Sequence, residues 1–204
     1  MPANSIAQRA KRVFSQWMPS LLMVCLVLVA RSTLADHYHV PSGSMEPALM
    51  PGDHVVVNKA AYGFRVPFTK QVIALSDRPE RGEVVIFDSP LEDIRLIKRV
   101  VAVAGDEVAV RRGRVFINGE ALGLPSDPDT EQYGSRLVHL NLGKGGGPDL
   151  SVTTVPENHV LVLGDHRGNS RDGRYFGTVP MNEIYGRASG VFWRRKDGPL
   201  WQSL

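Results

Sequence analysis

The chain has 204 residues, is 43 % hydrophobic and carries a formal net charge of +3. That length and apolar fraction fit one globular domain with a core of its own, with room for an inserted subdomain. The basic residues are scattered rather than arrayed in a stripe, which leaves no nucleic-acid footprint and makes anionic lipid the better reason for them.

Cys25 is the single cysteine. It allows no intramolecular disulfide, so cysteine usage does not fix the redox compartment. The 20 glycines and 14 prolines punctuate many short valine-rich runs, a pattern of an all-β body.

Arg9, Lys11 and Arg12 precede an uncharged run from Val13 to Ala30. As a helix those residues reach about 27 Å, close to the hydrocarbon thickness of a bilayer. The upstream charges predict an N-terminus that stays in the cytoplasm while the bulk of the chain crosses. A cleavable signal peptide is the competing reading, with Leu21 to Ala30 as its apolar region and Thr33-Leu34-Ala35 as a cleavage site. Both readings put everything after Asp36 outside the cytoplasm.

Shortly after this run comes Pro41-Ser42-Gly43-Ser44-Met45-Glu46-Pro47. Proline, serine and glycine together ordinarily mark a turn. They also leave the hydroxyls unshielded, and a serine becomes a nucleophile when a base elsewhere takes its proton.

Asp53 to Asn58, Gly82 to Phe87 and Arg95 to Val103 read as strands, and Tyr62, Phe64, Val66 and Phe68 alternate as an ordinary half-buried strand, an edge hairpin or a lipid-facing loop. The third strand carries Lys98 among aliphatic neighbours. Outward is the default for such a lysine; if it is buried, desolvation lowers its pKa and makes it a usable base. Glu107 to Val110 and Arg114 to Ile117 flank a short hairpin, and Asn118-Gly119 signals another tight turn. From Glu120 to Asp149 the prolines and Gly145-Gly146-Gly147 leave strand character only over Ser135 to Leu142, as in an inserted subdomain or mobile excursion away from the chemistry.

Val152 to Val155 and His159 to Leu163 return to strands. They lead into Gly164-Asp165-His166-Arg167-Gly168-Asn169-Ser170-Arg171-Asp172-Gly173-Arg174, a loop dense in charge and hydroxyl. The tail, with Trp193, Arg194, Arg195, Lys196 and Trp201, reads either as a membrane-interface contact or as a terminal strand that frays.

No one motif is specific, but their order is. Pro-Ser-Gly-Ser-Met-x-Pro after an anchor, Arg-Gly-Glu-Val-Val-Ile-Phe, Ile-Lys-Arg-Val-Val-x-x-x-Gly-Asp and Gly-Asp-x-Arg-x-Asn-Ser-x-Asp-x-Arg together resemble the type I signal peptidases. These are membrane-bound serine proteases that remove signal peptides. The resemblance runs from about Val40 to Ala188.

It implies a mainly β fold of coiled antiparallel sheets with one N-terminal transmembrane helix. Residues 1–12 are then cytoplasmic, 13–30 the anchor, 36–117 and 152–193 the catalytic β domain, 118–151 the insert and 194–204 the tail. By the same resemblance Ser44 is the nucleophile and Lys98 the general base. The Ser42 hydroxyl joins the Ser44 backbone N–H in the oxyanion hole. Ser170 orients the lysine amine, and Asp172 and Arg174 support that wall of the site. Met45 and Val84, Val85, Ile86 and Phe87 are the expected lining of pockets for small residues before the cut.

No metal or organic cofactor is called for. The partners implied are preproteins emerging from the secretion translocon and the lipid bilayer, at a bacterial-type plasma membrane with the catalytic domain on the outer side. The chain departs from the family pattern at His166, where asparagine is usual, and at Gly168 and Gly173, where aspartate and serine are common.

Four rival readings compete with this one: a maturation peptidase dedicated to one substrate such as a conjugative pilin, a self-cleaving repressor protease, a non-catalytic anchored β module, and a serine enzyme with His54 or His166 as base. The membrane segment argues against the repressor. His37 and His39 form too small a set for a metal site.

Overall fold

A computed structural model gives the conformation of residues 14–28, 35–65, 72–74, 77–92 and 94–204. Residues 14–28 form helix α1. The ends of the span expected over 13–30 lie outside the described residues, as do Arg9, Lys11, Arg12, Thr33, Leu34, Val66 and Phe68. Among the described residues no helix is long and apolar enough to cross a membrane.

Beyond α1 the described chain is mostly strand. β1 (Ala35–His39) and β2 (His54–Asn58) come first, then the small pair β3 (Phe64–Arg65) and β4 (Val72–Ala74). The β-branched runs form β5 (Val84–Asp88) and β6 (Arg95–Val103), where such side chains fit the pleat. β7 (Glu107–Arg111), β8 (Arg114–Ile117) and β9 (Glu120–Ala121) are joined by two-residue turns at Arg112-Gly113 and Asn118-Gly119. All four turn residues have positive φ, the geometry that lets a two-residue hairpin follow the strand twist.

Within 118–151 the chain also builds a three-stranded sheet from β10 (Gly123–Leu124), β11 (Asp127–Tyr133) and β12 (Arg136–His139). β13 (Leu150–Thr154) then pairs with β7. After β14 (His159–Leu163) come the one-turn helix α2 (Gly173–Phe176), β15 (Val179–Pro180), the eleven-residue β16 (Ile184–Arg194) and β17 (Gly198–Ser203). β17 pairs with β16, so the terminal residues take the strand alternative for the tail.

The largest sheet runs β1-β2-β16-β5-β6-β14-β15, with β17 on β16. Its described pairs are antiparallel, and bulges in β16 let that strand serve β2, β5 and β17. One apolar cluster holds Val40, Met45, Leu49, Val84, Ile86 and Ile97. A second holds Val85, Phe87, Val100, Val160, Val162 and Ile184. The third joins β6 and β14 to the smaller sheets through Val101, Val110, Leu163, Tyr133 and Val138. The 118–151 segment is therefore packed against the main body, because its Tyr133, Val138 and Leu140 bury apolar surface in one cluster with Val101 and Leu163.

Candidate active site

Ser44 lies in a single 3-10 turn, Gly43–Met45, and is buried. The turn is anchored from below by Met45 and Leu49 in the first apolar cluster, while extended Ser42 leads into it. Lys98 comes from the middle of β6. It is opposite Val85 on β5, so period-two alternation places it on the face of Val85 and Val100, with Ile97 on the other face.

The lysine is buried, at 3 % exposure, against the outward default for that residue type. Its Nζ donates to Ser44 Oγ at 2.5 Å. Burial pushes the amine down to about 8 from its ordinary 10.5. The carboxylates of Asp172 and Asp165 oppose that shift, and the Arg174 guanidinium adds to it. A buried amine without a bonded carboxylate is partly neutral near physiological pH, which is what proton abstraction from a serine needs.

Ser42 Oγ is 3.4 Å from Ser44 Oγ, a long contact, and Ser42 is otherwise exposed. Asp172 and Arg174 are brought together with no side-chain exposure. Arg174 Nε donates to Asp172 Oδ1 and Nη2 to Oδ2, each at 2.8 Å, and the Gly164 N–H donates to Oδ2 at 3.0 Å. Arg174 also reaches the Arg167 and Gly146 carbonyls, tying the loop to the 118–151 segment.

Ser170 is buried against Gly164, where an added Cβ would overlap both Ser170 Oγ and the Ser44 carbonyl. Its Oγ has no hydrogen-bond partner among the described residues, so no hydrogen bond joins it to Lys98. Of the expected pocket residues, Met45, Val84 and Ile86 share the cluster beside Ser44, whereas Val85 and Phe87 belong to the second cluster. All five are buried.

Three contacts were not predicted from the sequence. Glu131 of β11 grips Arg167 through Nη1 and Nη2 at 3.0 and 2.6 Å, both side chains at 0 % exposure. Arg99, next to Lys98, makes a two-point contact with Asp165 at 2.8 and 2.6 Å. His166 approaches Glu46 and the Gly43 carbonyl. Arg99, Asp165 and Arg167 stood in the motifs and His166 was a departure within one, whereas Glu131 lay outside all of them and Glu46 held an unspecified motif position. The segment expected to lie apart from the chemistry thus supplies the carboxylate that holds Arg167 of the loop bearing Ser170 and Asp172.

Among the described residues no group of three or more His, Cys, Asp or Glu side chains is arranged to hold a metal ion. His54 stacks on His37, meets His39 edge-on and Phe192 at a tilt, and no hydrogen bond among the described residues joins it to Ser44.

The family model for signal peptidase, peptidase S26, matches residues 14–193. The chain is similar to the signal peptidase I of Pseudomonas fluorescens, at 36 % identity over 193 residues covering 82 % of this chain and 68 % of the relative. It is equally similar to that of Pseudomonas aeruginosa, 36 % over 205 residues covering 88 % and 72 %. A thylakoidal processing peptidase of Arabidopsis thaliana is 30 % identical over 191 residues, covering 88 % and 52 %. Among solved structures, a signal peptidase I from Enterococcus faecalis has 28 % identity and a TM-score of 0.39, covering 54 % of this chain and 97 % of that one.

Proposed function

The chain belongs to the signal peptidase family, peptidase S26, and from that premise we propose that it cleaves signal peptides from exported preproteins with a Ser44–Lys98 dyad. It is a peptidase of the signal peptidase I type. The observation that carries the dyad is the 2.5 Å contact between a 3 % exposed amine and a serine hydroxyl, with no carboxylate bonded to the amine among the described residues.

In the proposed reaction neutral Lys98 takes the Ser44 proton as Oγ attacks the scissile carbonyl. The oxyanion that forms accepts hydrogen bonds from the Ser44 N–H and the Ser42 hydroxyl. Collapse breaks the C–N bond, and the protonated lysine gives its proton to the leaving amine. Lys98, neutral again, then takes a proton from water, whose oxygen attacks the ester; the serine oxygen leaves with that proton. Asp172 and Arg174 hold the loop behind the amine. Ser170 packs against Gly164 in the same wall of the site, with no hydrogen bond to the amine among the described residues.

The substrate is an exported chain with small residues before the cut; the expected lining residues Met45, Val84, Val85, Ile86 and Phe87 are fully buried and act by supporting the site from within the core. We place the site at the outer surface of a bacterial plasma membrane. The basic residues upstream of α1 stay inside, residues 13–30 act as a retained anchor, and chains arrive from the translocon.

The test is cleavage of a model preprotein in detergent by the wild type, Ser44→Ala and Lys98→Ala. Loss of cleavage in both variants, and a wild-type rate that climbs about tenfold per pH unit below about 8 and then levels, is expected, because only the neutral amine acts as base. Retained cleavage in either variant sinks the dyad.

A further inference from the structure

His166 touches both peptide groups that flank Ser44. Its backbone N–H donates to the Ser44 carbonyl at 3.1 Å. Its ring Nδ1 lies 3.2 Å from the Gly43 carbonyl and 3.2 Å from Glu46 Oε2. A carbonyl and a carboxylate only accept, so Nδ1 carries the hydrogen and is shared between them. Asn141 Nδ2 is a more distant neighbour at 3.5 Å. The ring is 6 % exposed, and its other nitrogen, Nε2, is buried without a partner among the described residues. The side chain therefore does its polar work through a single atom.

That atom holds one end of a rigid unit. The Gly43–Ser44 peptide is planar and trans, so its carbonyl and its N–H point in opposite directions and turn together. The Glu46 N–H also reaches the Gly43 carbonyl, at 3.2 Å, as the turn closes. A turn of three residues has little stiffness of its own, and oxyanion donors act only when they are aimed before charge develops.

We propose that His166 is a positioning residue of the oxyanion hole. Its Nδ1–H fixes the Gly43–Ser44 peptide plane, and so aims the Ser44 N–H at the tetrahedral intermediate. The inference rests on the proposed role of Ser44. It also gives a physical meaning to the departure at this position. Asparagine places an N–H donor on the same branch as His Nδ1, whereas glutamine carries its donor one carbon further.

The full chain in detergent is assayed on a model preprotein as the wild type, His166→Asn, His166→Gln and His166→Ala, with Ser44→Ala alongside. His166→Asn is expected to keep kcat within about threefold, while His166→Gln and His166→Ala lose about 10- to 100-fold, somewhat less than the roughly 10²- to 10³-fold lost with an oxyanion donor itself. KM is expected to stay within about twofold throughout, since the aim of the N–H matters to the intermediate and not to the bound substrate. Equal losses in the asparagine and glutamine variants, a loss confined to KM, or full kcat in His166→Ala overturns the positioning role. The asparagine–glutamine contrast decides even if the alanine variant does not fold. If Ser44→Ala still cleaves, the dyad itself is wrong and this inference goes with it; if Ser44→Ala is inactive and the His166 variants are all normal, only this inference fails.

Discussion

Lys98 and Arg99 are consecutive on β6 and both are buried, yet the two faces of the strand treat their charges in opposite ways. Arg99 is set opposite Val84 and meets Asp165 at two points, with the Gly82 carbonyl accepting from Nη1 at 2.6 Å. Burial alone would depress its guanidinium, but the Asp165 carboxylate leaves it raised above its ordinary value. Lys98, on the other face, has a serine hydroxyl where Arg99 has a carboxylate, and burial pushes its amine down. Burial thus makes a structural cation where a carboxylate is supplied and a proton acceptor where it is withheld.

Exchanging the side chains breaks this contrast most severely. Lys98→Arg puts a guanidinium that cannot give up its proton where the proposed base sits. The expected loss in kcat on a preprotein is about 10³-fold or more, toward the upper part of the range for general-base catalysis. Arg99→Lys keeps the charge on its face, so cleavage within about tenfold of the wild type is expected, with the two-point contact reduced to one. A Lys98→Arg enzyme that still turns over would show that the amine on this face is not the base.

A second buried pair extends the comparison to the 118–151 segment. Arg167 and Glu131 share two hydrogen bonds at 0 % exposure, and the Tyr133 hydroxyl and the Val115 N–H also donate to that carboxylate at 2.6 and 2.8 Å. Glu131→Gln leaves Arg167 as a buried cation without its counter-charge, the condition of Lys98 but in a group that cannot become neutral. Breaking such a pair costs about 3–5 kcal/mol. The urea midpoint is expected to fall by a corresponding amount, with cleavage weakened because Arg167 belongs to the loop of Ser170 and Asp172. An unchanged midpoint would mean that the paired face is less committed to its carboxylates than the geometry suggests.

These pairs also mark where the sequence was legible. Strands β5, β6, β8 and β14 were readable because β-branched residues crowd them, and Asn118-Gly119 announced its hairpin. β11 was not, since Asp127–Tyr133 is polar along most of its length and owes its place to pairing with β12 and to Arg167. The orientation of Lys98 depends on which face of β6 meets Ser44, a long-range fact that local pattern does not encode. The glycines that depart from the family pattern have local reasons visible only in three dimensions. At Gly168 a Cβ would overlap the Lys144 and Gly145 carbonyls, and at Gly173 it would press on Leu161 and the Val162 carbonyl.

The smallest effect separates the two faces by stability alone. In the unfolded chain Lys98 has its ordinary value of 10.5, and in the folded chain about 8, so the folded state binds fewer protons between those values. Stability therefore rises with pH from about 8 to about 10.5, and the cost of burying the ammonium is fully present below about 8. The shift corresponds to about 3 kcal/mol. Lys98→Met removes the titrating group and keeps most of the volume, so at pH 7 it is expected to be more stable than the wild type by about that amount. The gap should shrink as pH climbs and nearly close above about 10.5, where the lysine is neutral in both states. Urea unfolding of both proteins in detergent at pH 7, 9 and 11 measures it. A gap that does not change with pH would trace the gain to packing instead of charge, and Lys98 would then be no more strained by burial than Arg99.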